Sequence, residues 1–272
     1  MVREMQIRNY SERTIKTYVS SLSKLAKFFN LPPDQISTDQ FKGFLYHRIN
    51  IDKVSVAAIN QDISAFKIMQ QDILGRNWEQ IRIKRPRRES KLPVVLSLDE
   101  VCRMISITKN IKHRALLALA YSSGVRREEL RTLKPENIDP ERMCVHVVQG
   151  KGKKARYTLL SQKALDLLRI YYRIEKPECF LFETSLQKGK SLAAETINKI
   201  AKNAARKANV KKKISIHTLR HSFATHLLEK GVNLRVIQQF LGHSSLKTTS
   251  VYLHIANIDL SRVSSPLDDM DI

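Results

Sequence analysis

Between Lys84 and Pro93 the chain reads Lys-Arg-Pro-Arg-Arg-Glu-Ser-Lys-Leu-Pro, a stretch that neither a helix nor a core absorbs. Pro86 and Pro93 each remove a backbone donor and push the residue before them out of the helical region. The density of charge opposes burial. A break of this kind divides the 272 residues into two folding units, an ordinary number for this length. We place an all-helical unit at 1–89, a linker at 90–93 and a second unit at 94–272. The basic residues of the break are expected to touch phosphates, a merely solvated linker being the alternative.

The two sides carry different hydrophobic periods. Before the break, Ser11 is a candidate N-cap for a first helix in which Ile15, Tyr18, Val19, Leu22, Leu25, Ala26 and Phe29 recur at helical spacing, closed by Pro32-Pro33. Thr38 is placed as the cap of a second helix bearing Phe41, Phe44 and Leu45. A third runs from about Ser55 through Ile59, Ile63 and Phe66 to Leu74. No strand pattern intervenes. After the break, Ser97-Leu98-Asp99-Glu100 is a capping box, and the apolar run Arg114–Tyr121 predicts a buried helix stopped by Gly124. Met143–Val148 and Arg156–Leu160 read as two strands with Gly150 and Gly152 in the turn between them. Phe180–Phe182 is expected to be extended, and helices are expected over Ala164–Tyr172, over Glu195–Ala208, around His217 and after Asn233. The fold class is therefore mainly α with a small antiparallel sheet: a helical N-terminal unit followed by a mixed α/β one.

Charge narrows the partner. Lys and Arg number 48 against 26 acids, a net charge of +22, which points to a polyanion, most simply nucleic acid. A merely basic surface is the alternative that composition leaves open. Three widely spaced cysteines (Cys102, Cys144 and Cys179) argue against a disulfide framework and against a Cys-based zinc site. The apolar neighbours of Cys102 and Cys144 predict buried thiols. Met1-Val2-Arg3-Glu4 lacks the apolar run of a signal peptide and no stretch has the length of a membrane helix, so a cytoplasmic chain is expected.

The chemistry-bearing residues gather towards the C-terminus. His217 and Arg220 are three apart and share a helix face. His243 follows Gly242, and Tyr252 comes nine residues later. Upstream, Arg126 follows the Gly124 turn with Glu129 three positions on, where it can orient the guanidinium. Lys151 stands between two glycines that permit close approach to a phosphate. Arg presents a planar fork of donors to phosphate oxygens, His moves protons near neutral pH, and Tyr can act as a covalent nucleophile. His217 and His221 form H-x-x-x-H, but Thr218 stands where the zinc-protease pattern needs Glu, and no paired carboxylates adjoin the histidines as a metal-dependent nuclease would need. His221 is expected to be structural, bonding a backbone carbonyl.

In this order the segments resemble the signature of tyrosine site-specific recombinases of the phage-integrase and Xer-like kind, Arg…Lys…His-x-x-Arg…His/Trp…Tyr. The resemblance selects Arg126, Lys151 (over Lys153), His217, Arg220, His243 and Tyr252, and covers nearly the whole chain. It implies an enzyme that cuts and rejoins duplex DNA at a specific site through a 3′-phosphotyrosyl intermediate, for integration, excision or resolution of DNA elements. Tyr252 would be the nucleophile. The resemblance further implies no cofactor, no metal and no membrane, DNA binding by the N-terminal unit, and self-association on DNA, as a tetramer in the synapse. The acidic end, Ser264–Ile272, with Leu267, Met270 and Ile272 as apolar anchors, is expected to dock on a neighbouring protomer. A type IB topoisomerase shares the nucleophile chemistry, but the two-part layout looks more like a compact recombinase. A binding-only regulator would not need all six residues.

Overall fold

The computed structural model describes residues 1–78, 83–86, 92–148 and 155–256. It divides into two compact units, Met1–Lys91 and Leu92–Ile272.

The first unit is helical: α1 (Val2–Ile7), α2 (Glu12–Phe29), α3 (Thr38–Asn50) and α4 (Val56–Lys67), the last running on into a π-helical turn, Ile68–Ile73. Local capping sets most of these starts. Ser11, Ser37 and Ser55 each accept a hydrogen bond from a first-turn backbone N–H, an interaction worth about 1 kcal/mol each. Thr38 is thus the first helical residue, and Ser37 is the cap, with Gln40 completing its capping box. The short α1 has no side-chain cap and lay below the sequence signal. The helices bury Leu25, Phe41, Phe44, Ile59, Ile63 and Phe66, with the Phe41 and Phe66 rings stacked. Asp62 is buried there too, paired with Ser21 and Arg48. Arg85, in the break, donates to the Asn60 carbonyl and the Ser64 hydroxyl, so that basic residue is bonded to α4.

The second unit is built round α6 (Ile111–Ser123), after α5 (Leu98–Ser106). Ala115 to Ala120 are all buried, so α6 is enclosed on every side, as its uninterrupted apolar run requires. It packs on α8 (Gln162–Glu175) and α10 (Ile216–Glu229). Between α7 (Arg127–Thr132) and α8 lies a three-stranded antiparallel sheet of β1 (Ile138–Asp139), β2 (Cys144–Val147) and β3 (Arg156–Leu159), in that order, with His146 opposite Tyr157. The two-residue β1 is too short for an alternation to show. Then follow α9 (Ala194–Lys207), α10, α11 (Leu234–Leu241), α12 (Leu246–Ser250) and a 3-10 turn, Val251–His254.

Two expectations fail here for geometric reasons. Phe180–Phe182 is bent, because the Glu183 carboxylate gathers the backbone N–H groups of Glu178, Cys179 and Phe180. Cys102 is exposed and Cys144 only half-buried. On α5 the helical period turns Val101 and Met104 inward and Cys102 out, and on β2 Val145 and Val147 take the buried face.

Gly124 ends α6 with φ +59°, a region costly for residues with a Cβ. A Cβ there would also lie 2.4 Å from Cδ1 of Phe223 on α10. Gly124→Ala should therefore destabilise the second unit by about 2–4 kcal/mol, from left-handed strain and overpacking together, read as a lowered melting transition. A shift below about 1 kcal/mol would mean that the Phe223 ring yields freely.

Candidate active site

Arg126 is the N-cap residue of α7. Its backbone N–H donates to Glu129 at 2.7 Å and its Nη1 to the same carboxylate at 2.8 Å. Its Nη2 donates to the Gly242 carbonyl at 2.8 Å, across 116 residues of chain. Glu129 is buried and also receives both terminal nitrogens of Arg156, at 2.8 and 2.7 Å. Burial alone would raise its pKa, but the hydrogen bonds and charge of Arg156, then of Arg126, overcome this and hold it at about 2. The carboxylate therefore stays ionised between two guanidinium groups.

Arg220 lies buried on α10, where Nη1 donates to the Gly124 carbonyl and Nη2 to the Leu241 carbonyl, each at 2.6 Å. Burial, and then repulsion from Arg126, lower its pKa to about 9, so it remains a cation at neutral pH. Gly124 and Gly242, the C-caps of α6 and α11, thus sit where helix ends meet the two arginines. The orphan carbonyls of those ends are turned to guanidinium donors.

Nη2 of Arg220 is also 3.0 Å from Nε2 of His243. Guanidinium has only donors, so Nε2 accepts and the ring proton sits on Nδ1, which donates to Thr249 at 2.9 Å. Burial, followed by the charges of Arg220 and Arg126, lowers the His243 pKa to about 3. In this arrangement the ring is neutral and both nitrogens are engaged.

Tyr252, in the 3-10 turn after α12, is 2% exposed and packs with Phe223, Ala224, Ile237 and Leu241. Its hydroxyl is 3.0 Å from Nδ1 of His221. Burial raises the Tyr252 pKa above the ordinary phenol value despite Arg220 and Arg126, so the resting hydroxyl is neutral. Burial, then the neighbouring His217 and Arg220, bring His221 down to about 4. His221 was expected to bond a backbone carbonyl; its partner is instead the tyrosine hydroxyl. His217 stands one turn earlier at the exposed start of α10, and desolvation followed by Arg220, Arg127 and Arg126 lowers its pKa.

The structure thus brings together Arg126, Arg220, His243 and Tyr252, with His217 on the same helix as Arg220. Lys151 lies outside the described residues, as does Ser264–Ile272. Glu129, as the sequence suggested, bonds Arg126. Arg156, His221 and Thr249 were not singled out as site residues, because no local pattern marks a partner that lies 27, 31 or 6 residues away. Among the described residues, no group of three or more His, Cys, Asp or Glu side chains could hold a metal ion. No helix among them is long and apolar enough to cross a membrane.

Comparison with known proteins defines the class. Residues 95–257 match the phage integrase family, and residues 1–80 match the phage integrase N-terminal SAM-like domain. A putative integrase/recombinase of Sinorhizobium fredii is 36% identical over 269 residues, covering 98% of this chain and 87% of the relative. The tyrosine recombinase XerA of Pyrococcus furiosus is 34% identical over 255 residues, covering 92% and 86%. Among solved structures, the XerH site-specific recombinase bound to palindromic difH substrate, a post-cleavage complex, superposes with a TM-score of 0.73 at 25% identity, covering 97% and 83%. A lambda integrase tetramer bound to a Holliday junction shares the fold, with a TM-score of 0.70 at 18% identity, covering 97% of this chain and 77% of that one. The chain belongs to the phage integrase family of tyrosine recombinases, enzymes that cleave DNA and rejoin it at specific sites.

Proposed function

We propose that Arg126, Lys151, His217, Arg220, His243 and Tyr252 form the active site of this recombinase, and that it works on duplex DNA carrying a specific recombination site. Tyr252 Oη attacks the scissile phosphorus while the bond to the 5′-oxygen breaks, leaving a 3′-phosphotyrosyl link and a free 5′-hydroxyl. Arg126 and Arg220 stabilise charge on the non-bridging oxygens as it grows. The phenolic proton passes to His217 and Lys151 protonates the departing 5′-oxygen, so the protons balance. Attack by a 5′-hydroxyl from another strand reverses the step and exchanges strands. The bond energy is kept in the phosphotyrosine, and neither nucleotide nor metal is consumed.

What supports this reading is the single network in which Arg126, Arg220 and His243 meet at the ends of α6 and α11. Three donors of positive or polar character converge there on one small region, which is what a phosphate with developing charge requires. Two adjustments accompany binding in this scheme. Tyr252 exchanges its bond to His221 for one to His217. His243 gives up Nε2 to the phosphate, whose negative charge favours the protonated ring, and so becomes a donor.

The unit 1–89, with its SAM-like match over 1–80, is assigned to DNA binding, the linker to 90–93 and the catalytic unit to 94–272. We place the protein in the cytoplasm, as a tetramer on paired sites, with the tail docking between protomers. The test is covalent capture on a nicked duplex bearing its site, in EDTA. The wild-type chain should remain attached to the 3′ end, with a free 5′-hydroxyl on the other side. Strict dependence on a divalent metal, or attachment at the 5′ end, would falsify the reading.

A further inference from the structure

Arg156 is the first residue of β3 and its side chain is 9% exposed. Its guanidinium reaches two distant segments at once. Nη1 and Nη2 bind the two Glu129 oxygens, and Nε donates to the Phe240 carbonyl at 2.7 Å. Glu129 holds Arg126. Phe240 lies near the end of α11, three residues before His243, and the Gly242 carbonyl between them accepts from Arg126. A Cβ on Gly242 would lie 2.8 Å from Cδ of Arg156, so the arginine stem runs against the backbone just ahead of His243.

We infer that Arg156 is a positioning residue for strand cleavage, fixing Arg126 through Glu129 and His243 through the Phe240–Gly242 backbone with one guanidinium. This rests on the assignment of Arg126 and His243 to the active site. The two-oxygen grip on Glu129 together with the third bond, from Nε to the Phe240 carbonyl, needs a planar guanidinium. An ammonium can keep the charge but has no planar fork to hold both Glu129 oxygens and the Phe240 carbonyl together. Facing inward, Arg156 makes its contribution through geometry and not by neutralising a phosphate.

The test compares the full chain with Arg156→Ala and Arg156→Lys in DNA affinity, single-turnover cleavage and pH profile. Because Arg156 is turned away from solvent, affinity should change by less than about threefold. Cleavage should fall about 10²-fold for Arg156→Ala, the scale expected of an ångström of misplacement, and about tenfold for Arg156→Lys. A substrate with sulfur at the bridging 5′ position should not restore either variant, since the charge on the non-bridging oxygens is unchanged.

The pH profile separates positioning from stability. Glu129 is faced by Arg126 and Arg156, with Arg220 and His217 also contributing to the local field. Losing Arg156 raises the Glu129 pKa, so the acid limb of cleavage should move to higher pH. A purely structural role would lower the melting temperature without moving that limb. If Arg156→Ala does not fold, Arg156→Lys decides by the same assays. Unfolding of both variants, wild-type cleavage by either folded one, or rescue by sulfur overturns the inference. Arg126→Ala is run alongside: if it cleaves normally, the active-site reading itself fails.

Discussion

Tyr252→Phe is expected to bind recombination-site DNA as the wild type does and to form no covalent adduct at all. The substitution removes one oxygen and keeps the ring, so the packing against Phe223, Ile237 and Leu241 survives. His221 loses its hydroxyl partner at 3.0 Å, a cost of about 1 kcal/mol, too little to unfold the unit. Catalytically the loss should be total, because the proposed phosphotyrosyl bond cannot form without the phenolic oxygen. Tyr121→Phe is the matched control. It removes a half-buried hydroxyl bonded to His226 at 2.8 Å and should leave adduct formation near the wild-type level. Gel-shift titration and denaturing electrophoresis on one nicked substrate measure both properties. An adduct from Tyr252→Phe would remove Tyr252 from its assigned role.

A second large effect concerns Lys151. An alkoxide is a poor leaving group, and a proton delivered in the transition state accelerates its departure by about 10²–10⁴-fold. Lys151→Ala should accordingly bind DNA normally and cleave slower by about that factor. With sulfur in place of the bridging 5′-oxygen, a thiolate departs without protonation, and Lys151→Ala should return most of the way to the wild-type rate on that substrate. Arg126→Ala should not return. Its guanidinium is held by Glu129 and the Gly242 carbonyl, and its proposed role is on oxygens that sulfur does not replace. Lys153→Ala should be mild on both substrates. Sulfur rescue of Lys153→Ala but not of Lys151→Ala moves the acid two residues along the chain. Rescue of neither leaves the lysines to position DNA, with the proton coming from another group.

Much of the secondary structure was legible because its determinants are local. The helix starts at Ser11, Ser55, Ser97 and Asn233, and the stop at Gly124, lie within one turn of what they control. The misses share that logic. The cap of α3 slipped by one residue because Ser37 and Thr38 are chemically equivalent candidates, and only the backbone tells which stays outside the helix. Phe180–Phe182 is bent by a carboxylate collecting three backbone donors, a device with no periodic signature.

The sequence by itself determined the family and the two-part order and supplied the candidate residues of the site, since a cap, a hydrophobic period and a spaced motif are properties of neighbours in the chain. Beyond the Arg126–Glu129 pair, which lies within one helical turn, tertiary structure decided the partners within the site. It gave the tyrosine hydroxyl to His221 although His217 is only one turn away, and it fixed the proton of His243 on Nδ1 by setting an obligate donor against Nε2. It also set Arg156, the first residue of β3, against Glu129, which it shares with Arg126. Such choices depend on which helix ends and strand meet in the packed core, and that meeting is a global result of burial which no short window of sequence contains.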